Sequence, residues 1–453
     1  TVLAQGAQEG PVLGVRSAYT FGTFLKPADN KDMNGGIGPI AKADPSTFIA
    51  PTITFKERLD TTIAGLPVQF FHAPSEAPDE IVLYLPNNKV LISAEVDQGP
   101  TLPNIHTLRG TKFRDPVLWV ASLDLLRSLK AEYMVPLHGR PVTGAEKVEE
   151  VLRMTRDGIA YIHDQTVRWM NKGLTPDELV EKVKLPPHLA SYTPYLREYY
   201  GTVKHSVRQI YNGYLGWFQG DPVDLDPIPP REKAQRLIAL MGGRDKLLLE
   251  AGKAYLAGDY QWAAELSGYA IRVDREDELA RDIKARSFRK LGYASMNINW
   301  RNWYLTSAME LEGQFDGEDV RDQAQMLRGV FLSPQMVKNF TPQAFLGNWV
   351  TRIDPDKSTD VQMTLGFEFP DVGEQWALEV RRGVAQLHRG LPEGTALKLT
   401  MDKSFMDTLL TGEGGLVKGV LLGDVKVDGS LLDIKTFLGC FDFGEEPFGL
   451  TIR

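Results

Sequence analysis

The 453-residue chain contains one cysteine, Cys440, so an internal disulfide and a thiolate zinc cluster are both excluded. It has no run of eighteen apolar residues, which excludes a helix that spans a membrane. It also lacks a basic excess: 51 Lys and Arg stand against 59 Asp and Glu, a formal net charge of -8. That balance argues against a nucleic-acid partner, whereas a few local arginines can still dominate a pocket for a small anion. Histidine is scarce, with seven in all. No His-x-His-x-Asp-His, His-Glu-x-x-His, Gly-x-Ser-x-Gly or Walker loop occurs. The opening residues, Thr1-Val-Leu-Ala-Gln-Gly, have neither a basic nor an apolar region, which predicts no signal peptide here and leaves the compartment open.

What is present is a globular composition, 43% hydrophobic and 24% charged, which argues against disorder on a large scale. The length predicts two or three domains. Up to about residue 145 short β-type runs alternate with turns. Ile81-Val-Leu-Tyr-Leu and Lys89-Val-Leu-Ile-Ser flank Pro86-Asn87-Asn88, which predicts a β-hairpin. Phe113 to Lys130 reads as a helix, and Glu132-Tyr-Met-Val-Pro-Leu as a buried strand running into His138. Strand, helix, strand is α/β architecture, with a site expected at the C-terminal edge of the sheet. From Gly144 to about residue 313 the pattern is helical, broken by the prolines between Asp221 and Pro230. Between Leu247 and Leu291 the helix–turn–helix spacing is roughly that of tetratricopeptide units. An acidic linker follows at Gln314 to Asp322. The last hundred residues alternate strands and helices as an α+β unit.

Three positions in the α/β part suit a metal. Glu76 lies in a proline-stiffened loop, Glu95 follows the apolar strand Val90-Leu-Ile-Ser-Ala, and His138 ends another strand. A strand fixes such a side chain while the loops leave it accessible. The alternative is that the two acids are solvated and His138 is a hydrogen-bonded turn residue. Asn104, Arg109 and Arg114 form a second group, in which the planar guanidinium forks suit sulfate, phosphate or carboxylate. Here the alternative is a surface loop with ordinary arginines, and in either case substitution in a loop is expected to leave the fold intact.

Read in order, these residues resemble the class III alkyl sulfatases, metallo-β-lactamase-fold enzymes that hydrolyse sulfate esters. The most specific stretch is Tyr161-Ile-His-Asp-Gln-Thr-Val-Arg-Trp-Met-Asn-Lys-Gly-Leu-Thr-Pro-Asp-Glu-Leu. It continues through Leu185-Pro-Pro, Glu198-Tyr-Tyr-Gly-Thr-Val-Lys-His-Ser-Val-Arg-Gln-Ile-Tyr211 and Tyr214-Leu-Gly-Trp-Phe-Gln-Gly-Asp-Pro. The resemblance implies a partial αββα catalytic domain over 1–150, a helical dimerisation domain over 151–315, and a domain similar to sterol carrier protein 2 over 325–453. It implies Glu76, Glu95 and His138 as metal ligands, and Asn104, Arg109 and Arg114 as sulfate contacts. Tyr19, in a segment resembling the family's tyrosine-glycine run, and Tyr211 are implied at the substrate. Gly139 and Thr143 depart from the family's aromatic neighbours of the late histidine.

The family's cofactor is a pair of zinc ions, and three donors cannot hold both. The missing His-x-His-x-Asp-His is therefore expected on a companion N-terminal polypeptide, with a homodimer of this chain acting on an alkyl sulfate or similar amphiphilic anion. The rival expectations are a non-catalytic scaffold using the helical and C-terminal parts, or a metallohydrolase acting on another ester.

Overall fold

A computed structural model describes residues 9–25, 49, 51–322, 334–444 and 449–452. The chain divides into two compact units. One is built mainly from residues 53–317 together with 16–25 and 449–452, and the other mainly from 318–444.

The first unit holds helix α1 (Gly10–Phe21) from Arg16 onward and a six-stranded sheet, β1 (Arg58–Ile63), β2 (Leu66–His72), β3 (Ile81–Leu85), β4 (Val90–Ala94), β5 (Tyr133–Pro136) and β6 (Val142–Thr143). The strands lie in sequence order, and every neighbouring pair is antiparallel except β4 and β5. The predicted hairpin is β3–β4, with Leu85 opposite Val90. The parallel pair needs a crossover, and helix α2 (Pro116–Ser128) supplies it. That helix starts where Asp115 accepts the Val117 N–H at 2.8 Å and Pro116 fills the first turn. It buries Trp119, Ser122, Leu123 and Leu126, one stripe at helical spacing, and the Trp119 indole N–H donates to the Val96 carbonyl at 3.0 Å.

Helix α3 (Ala145–Met170) buries Val148, Val151, Leu152, Thr155, Ile159 and Ile162 along a single face. Through that face the core continues from the sheet into α4 (Pro176–Lys182) and α6 (Val203–Leu215), with the short α5 (Pro187–Ala190) between them. The packing does not break at residue 150. A second apolar core joins α8 (Arg244–Leu256), α9 (Tyr260–Val273), α10 (Glu278–Ala294) and α11 (Ile298–Leu311), which follow α7 (Pro230–Leu240). Each of these helices starts on a Gly or an Asp/Asn cap, such as Asp259, Asp277 and Asn297.

The other unit is a five-stranded sheet in the order β11–β10–β7–β8–β9. Its strands are β7 (Gln362–Phe369), β8 (Glu374–Arg381), β9 (Val384–Arg389), β10 (Leu397–Met401) and β11 (Val425–Asp428). Leu346, Phe367, Phe369, Trp376, Met406 and Phe437 pack its core. The α/β, all-α and α+β organisation expected from the sequence is the one observed.

Candidate active site

Glu76 sits in the loop between β2 and β3, Glu95 just past β4, and His138 just past β5. Since β4 and β5 are parallel neighbours, the last two reach the same edge of the sheet. The His138 ring Nε2 lies 3.1 Å from a Glu95 carboxylate oxygen. The approach is close because Gly99, at φ +93°, leaves room for the His138 carbonyl; a Cβ there would collide with it.

Glu76 is held differently. One of its oxygens accepts from the Arg114 guanidinium and the other from the Gln98 amide. Arg114 also donates to the Asn104 carbonyl at 2.5 Å, and the Gln98 side-chain oxygen accepts the Asn104 N–H at 2.7 Å. Glu76, Arg114, Asn104 and Gln98 thus close a ring of hydrogen bonds. Arg114 is 5% exposed, so it is a buried cation and not the surface-loop arginine of the simpler sequence reading. The expectation that its loss leaves the fold intact is corrected accordingly: removing it strands the Glu76 carboxylate.

Burial, together with the charges of Glu76 and Glu80, pushes the Glu95 carboxyl up to about 8. Arg114 and Arg109 act on it in the opposite direction. Burial also pushes Asp97 up to about 6 and lowers His138, which favours the neutral imidazole. His106 and His205, whose rings meet edge-on at 6.2 Å, are lowered by burial to about 4 and about 3.

Arg109 is half-buried. Its guanidinium lies over the Phe21 ring at 5.6 Å, and Arg16 donates to its carbonyl and to that of Leu108. The loop is pinned from behind, since the Leu102 N–H donates to Arg197 and the Tyr200 N–H to the Thr101 hydroxyl. Several buried polar atoms there have no partner among the described residues: Asn104 Nδ2 and Oδ1, His106 Nδ1, Thr107 Oγ1, Arg114 Nε and Glu95 Oε2. Native interiors leave few such atoms, and most of these donors and acceptors fall within one loop.

The structure gives the surroundings of the two tyrosines expected at the substrate. Tyr19 is fully buried; its hydroxyl donates to Glu310 at 2.5 Å and accepts the Leu450 N–H at 3.2 Å. Tyr211 is 5% exposed and packs in the first core on α6. Gln98 and Glu80 escaped the sequence reading, because neither stands in a motif that marks it.

The donor set falls short of a two-zinc centre. Among the described residues, no group of three or more His, Cys, Asp or Glu side chains is arranged to hold a metal ion. Glu95, with a buried oxygen lacking a donor, and the neutral His138 suit part of such a centre, while both Glu76 oxygens are engaged.

The chain belongs to the alkyl sulfatase family, a family of sulfuric ester hydrolases. Residues 175–314 match the alkyl sulfatase dimerisation model and residues 331–452 the alkyl sulfatase C-terminal model. A linear primary-alkylsulfatase from a Pseudomonas species is 73% identical over 452 residues, covering 100% of this chain and 86% of that protein. An alkyl/aryl-sulfatase from Saccharomyces cerevisiae is 30% identical, over 99% of this chain and 68% of its own length. The solved structure of Pisa1, a stereoselective inverting secondary alkylsulfatase from a Pseudomonas species, superposes with a TM-score of 0.88 at 30% identity. That match covers 99% of this chain and 70% of the Pisa1 chain.

Proposed function

We propose that the chain supplies the sulfate-binding half of an enzyme that hydrolyses linear alkyl sulfate esters to alcohol and sulfate. The observation that carries this reading is the loop 104–114, where a buried arginine and an asparagine present unpartnered polar atoms beside the Glu95–His138 pair. An oxyanion would satisfy those donors. Arg114, Arg109 and Asn104 hold and orient the sulfate group and offset negative charge as it develops on the leaving oxygen. Glu95 and His138 contribute to a two-zinc site whose other ligands come from a companion segment bearing His-x-His-x-Asp-His.

The test combines intact-mass analysis of the purified assembly with sulfate release from a linear primary alkyl sulfate. A segment bearing His-x-His-x-Asp-His, close to two zinc ions per copy of this chain, and turnover are expected. Tight binding of two metal ions by this chain alone would show the ligand set to be wrong, and absence of turnover in the metal-loaded assembly would remove the sulfatase reading.

A further inference from the structure

Between the loop that carries Glu76 and the strand end that carries Glu95 lies a third carboxylate, Glu80, the residue before β3. One Glu80 oxygen accepts the backbone N–H of Glu95. The other accepts the hydroxyl of Ser75, which is 6% exposed, and the N–H of Ala77 at 3.4 Å. Ser75 and Ala77 are the residues on either side of Glu76. A single carboxylate therefore gathers three donors from both segments that bear the candidate ligands.

The placement is electrostatically costly. Glu80 raises the proton affinity of Glu95, and Glu76 raises that of Glu80. Its donors among the described residues are neutral, two backbone N–H groups and one hydroxyl, so no ion pair offsets the repulsion. What the group contributes instead is geometry, because an acceptor with two oxygens can take donors from both segments at once and hold them at a fixed separation.

We propose that Glu80 is a positioning residue that fixes the Glu76 loop and the Glu95 strand end relative to one another. The proposal rests on the reading of these carboxylates as part of the sulfatase site. The test uses the assembled enzyme with Glu80→Ala and Glu80→Gln, read by hydrogen–deuterium exchange and by steady-state kinetics on a linear primary alkyl sulfate. For Glu80→Ala, exchange speeds up in peptides holding residues 75–77 and residue 95 and stays unchanged in α2. In the same variant kcat falls about 10–100-fold, the range for a lost supporting partner, with KM within about twofold of wild type.

Should Glu80→Ala fail to fold, Glu80→Gln decides the matter. An amide presents one acceptor oxygen, so at least one of the two segments loses its acceptor and exchanges faster. Unchanged protection at both segments, or a rise in KM with kcat intact, overturns the proposal. A wild-type assembly inactive on alkyl sulfates would remove the functional reading but not the exchange result, which bears on Glu80 alone.

Discussion

At the scale of single residues, the two arginines that look alike in sequence part company. Arg114 is buried and paired with Glu76, so Arg114→Ala removes one partner of a buried pair and costs about 3–5 kcal/mol of stability, measured by denaturant unfolding. Arg109→Ala, in a half-buried side chain, leaves the unfolding midpoint close to wild type. On the sulfatase reading it lowers kcat/KM by about 2–4 kcal/mol, the size of a lost preorganised donor. Glu95 sets a pH dependence. Its folded pKa of about 8 lies above the ordinary value of 4.5, so the folded state holds the proton more tightly than the unfolded one. The contribution of Glu95 to the stability of the metal-free chain therefore falls as pH rises from 4.5 through 8, while the buried His106 and His205, lowered from 6.5, act in the opposite direction up to about 6.5. Asp97 acts in the same direction only to about 6, so Glu95→Gln flattens the slope chiefly above that pH. Unfolding midpoints in chelator across this range check it; a slope unchanged in the variant would clear Glu95 of the effect.

At the scale of elements, the parts that position the site are set by local chemistry. Asp115→Ala removes the cap of α2 and costs about 1 kcal/mol, readable as a lowered unfolding midpoint. Gly99→Ala meets both a left-handed backbone and the His138 carbonyl. It shifts β5's end away from Glu95 and costs activity well beyond its effect on unfolding, which kinetics and denaturation together resolve. Such elements were legible in sequence. The hairpin at Pro86-Asn87-Asn88, the crossover helix and the strand ending at His138 are apolar runs bounded by turn and cap residues, and those signals are local. The helix begins three residues later than Phe113 because Asp115 caps it. The placement of Glu95 and His138 at one sheet edge was legible for the same reason. What was not legible is who pairs with whom. Gln98 and Arg114 meet Glu76 across 22 and 38 residues, separations decided by strand order and not by spacing. Tyr19 gave no sign of its burial, since its partner Glu310 is 291 residues away. β9 and β11 went unread because Val384 to Arg389 and Val425 to Asp428 mix charged and apolar residues over a few positions.

At the scale of the whole molecule, the aromatic residues of the helical region divide between core and surface. Tyr200 and Tyr211 are buried, whereas Tyr214, Leu215 and Trp217, together at the end of α6, are 45%, 57% and 67% exposed. Apolar groups gathered this way call for a partner surface, and the segment 175–314 matches a dimerisation family. The expected state is a two-fold homodimer burying more than about 2,000 Å². Light scattering at sub-micromolar concentration checks this, and a mass for one copy of the chain would assign these side chains another role.

The Glu310 carboxylate, 4% exposed, takes its donors from Tyr19 and from the N–H groups of Thr451 and Ile452. Thr451 lies 141 residues further along, beyond the whole of the second unit. At ribosomal speeds of about 5–20 residues per second, that stretch takes roughly 7–28 seconds to synthesise. The nascent helical unit therefore waits with a buried acid short of its tail donors until the C-terminal sheet has been made. Its final closure is a late event of translation, set by distance along the message and not by the intrinsic speed of helix packing.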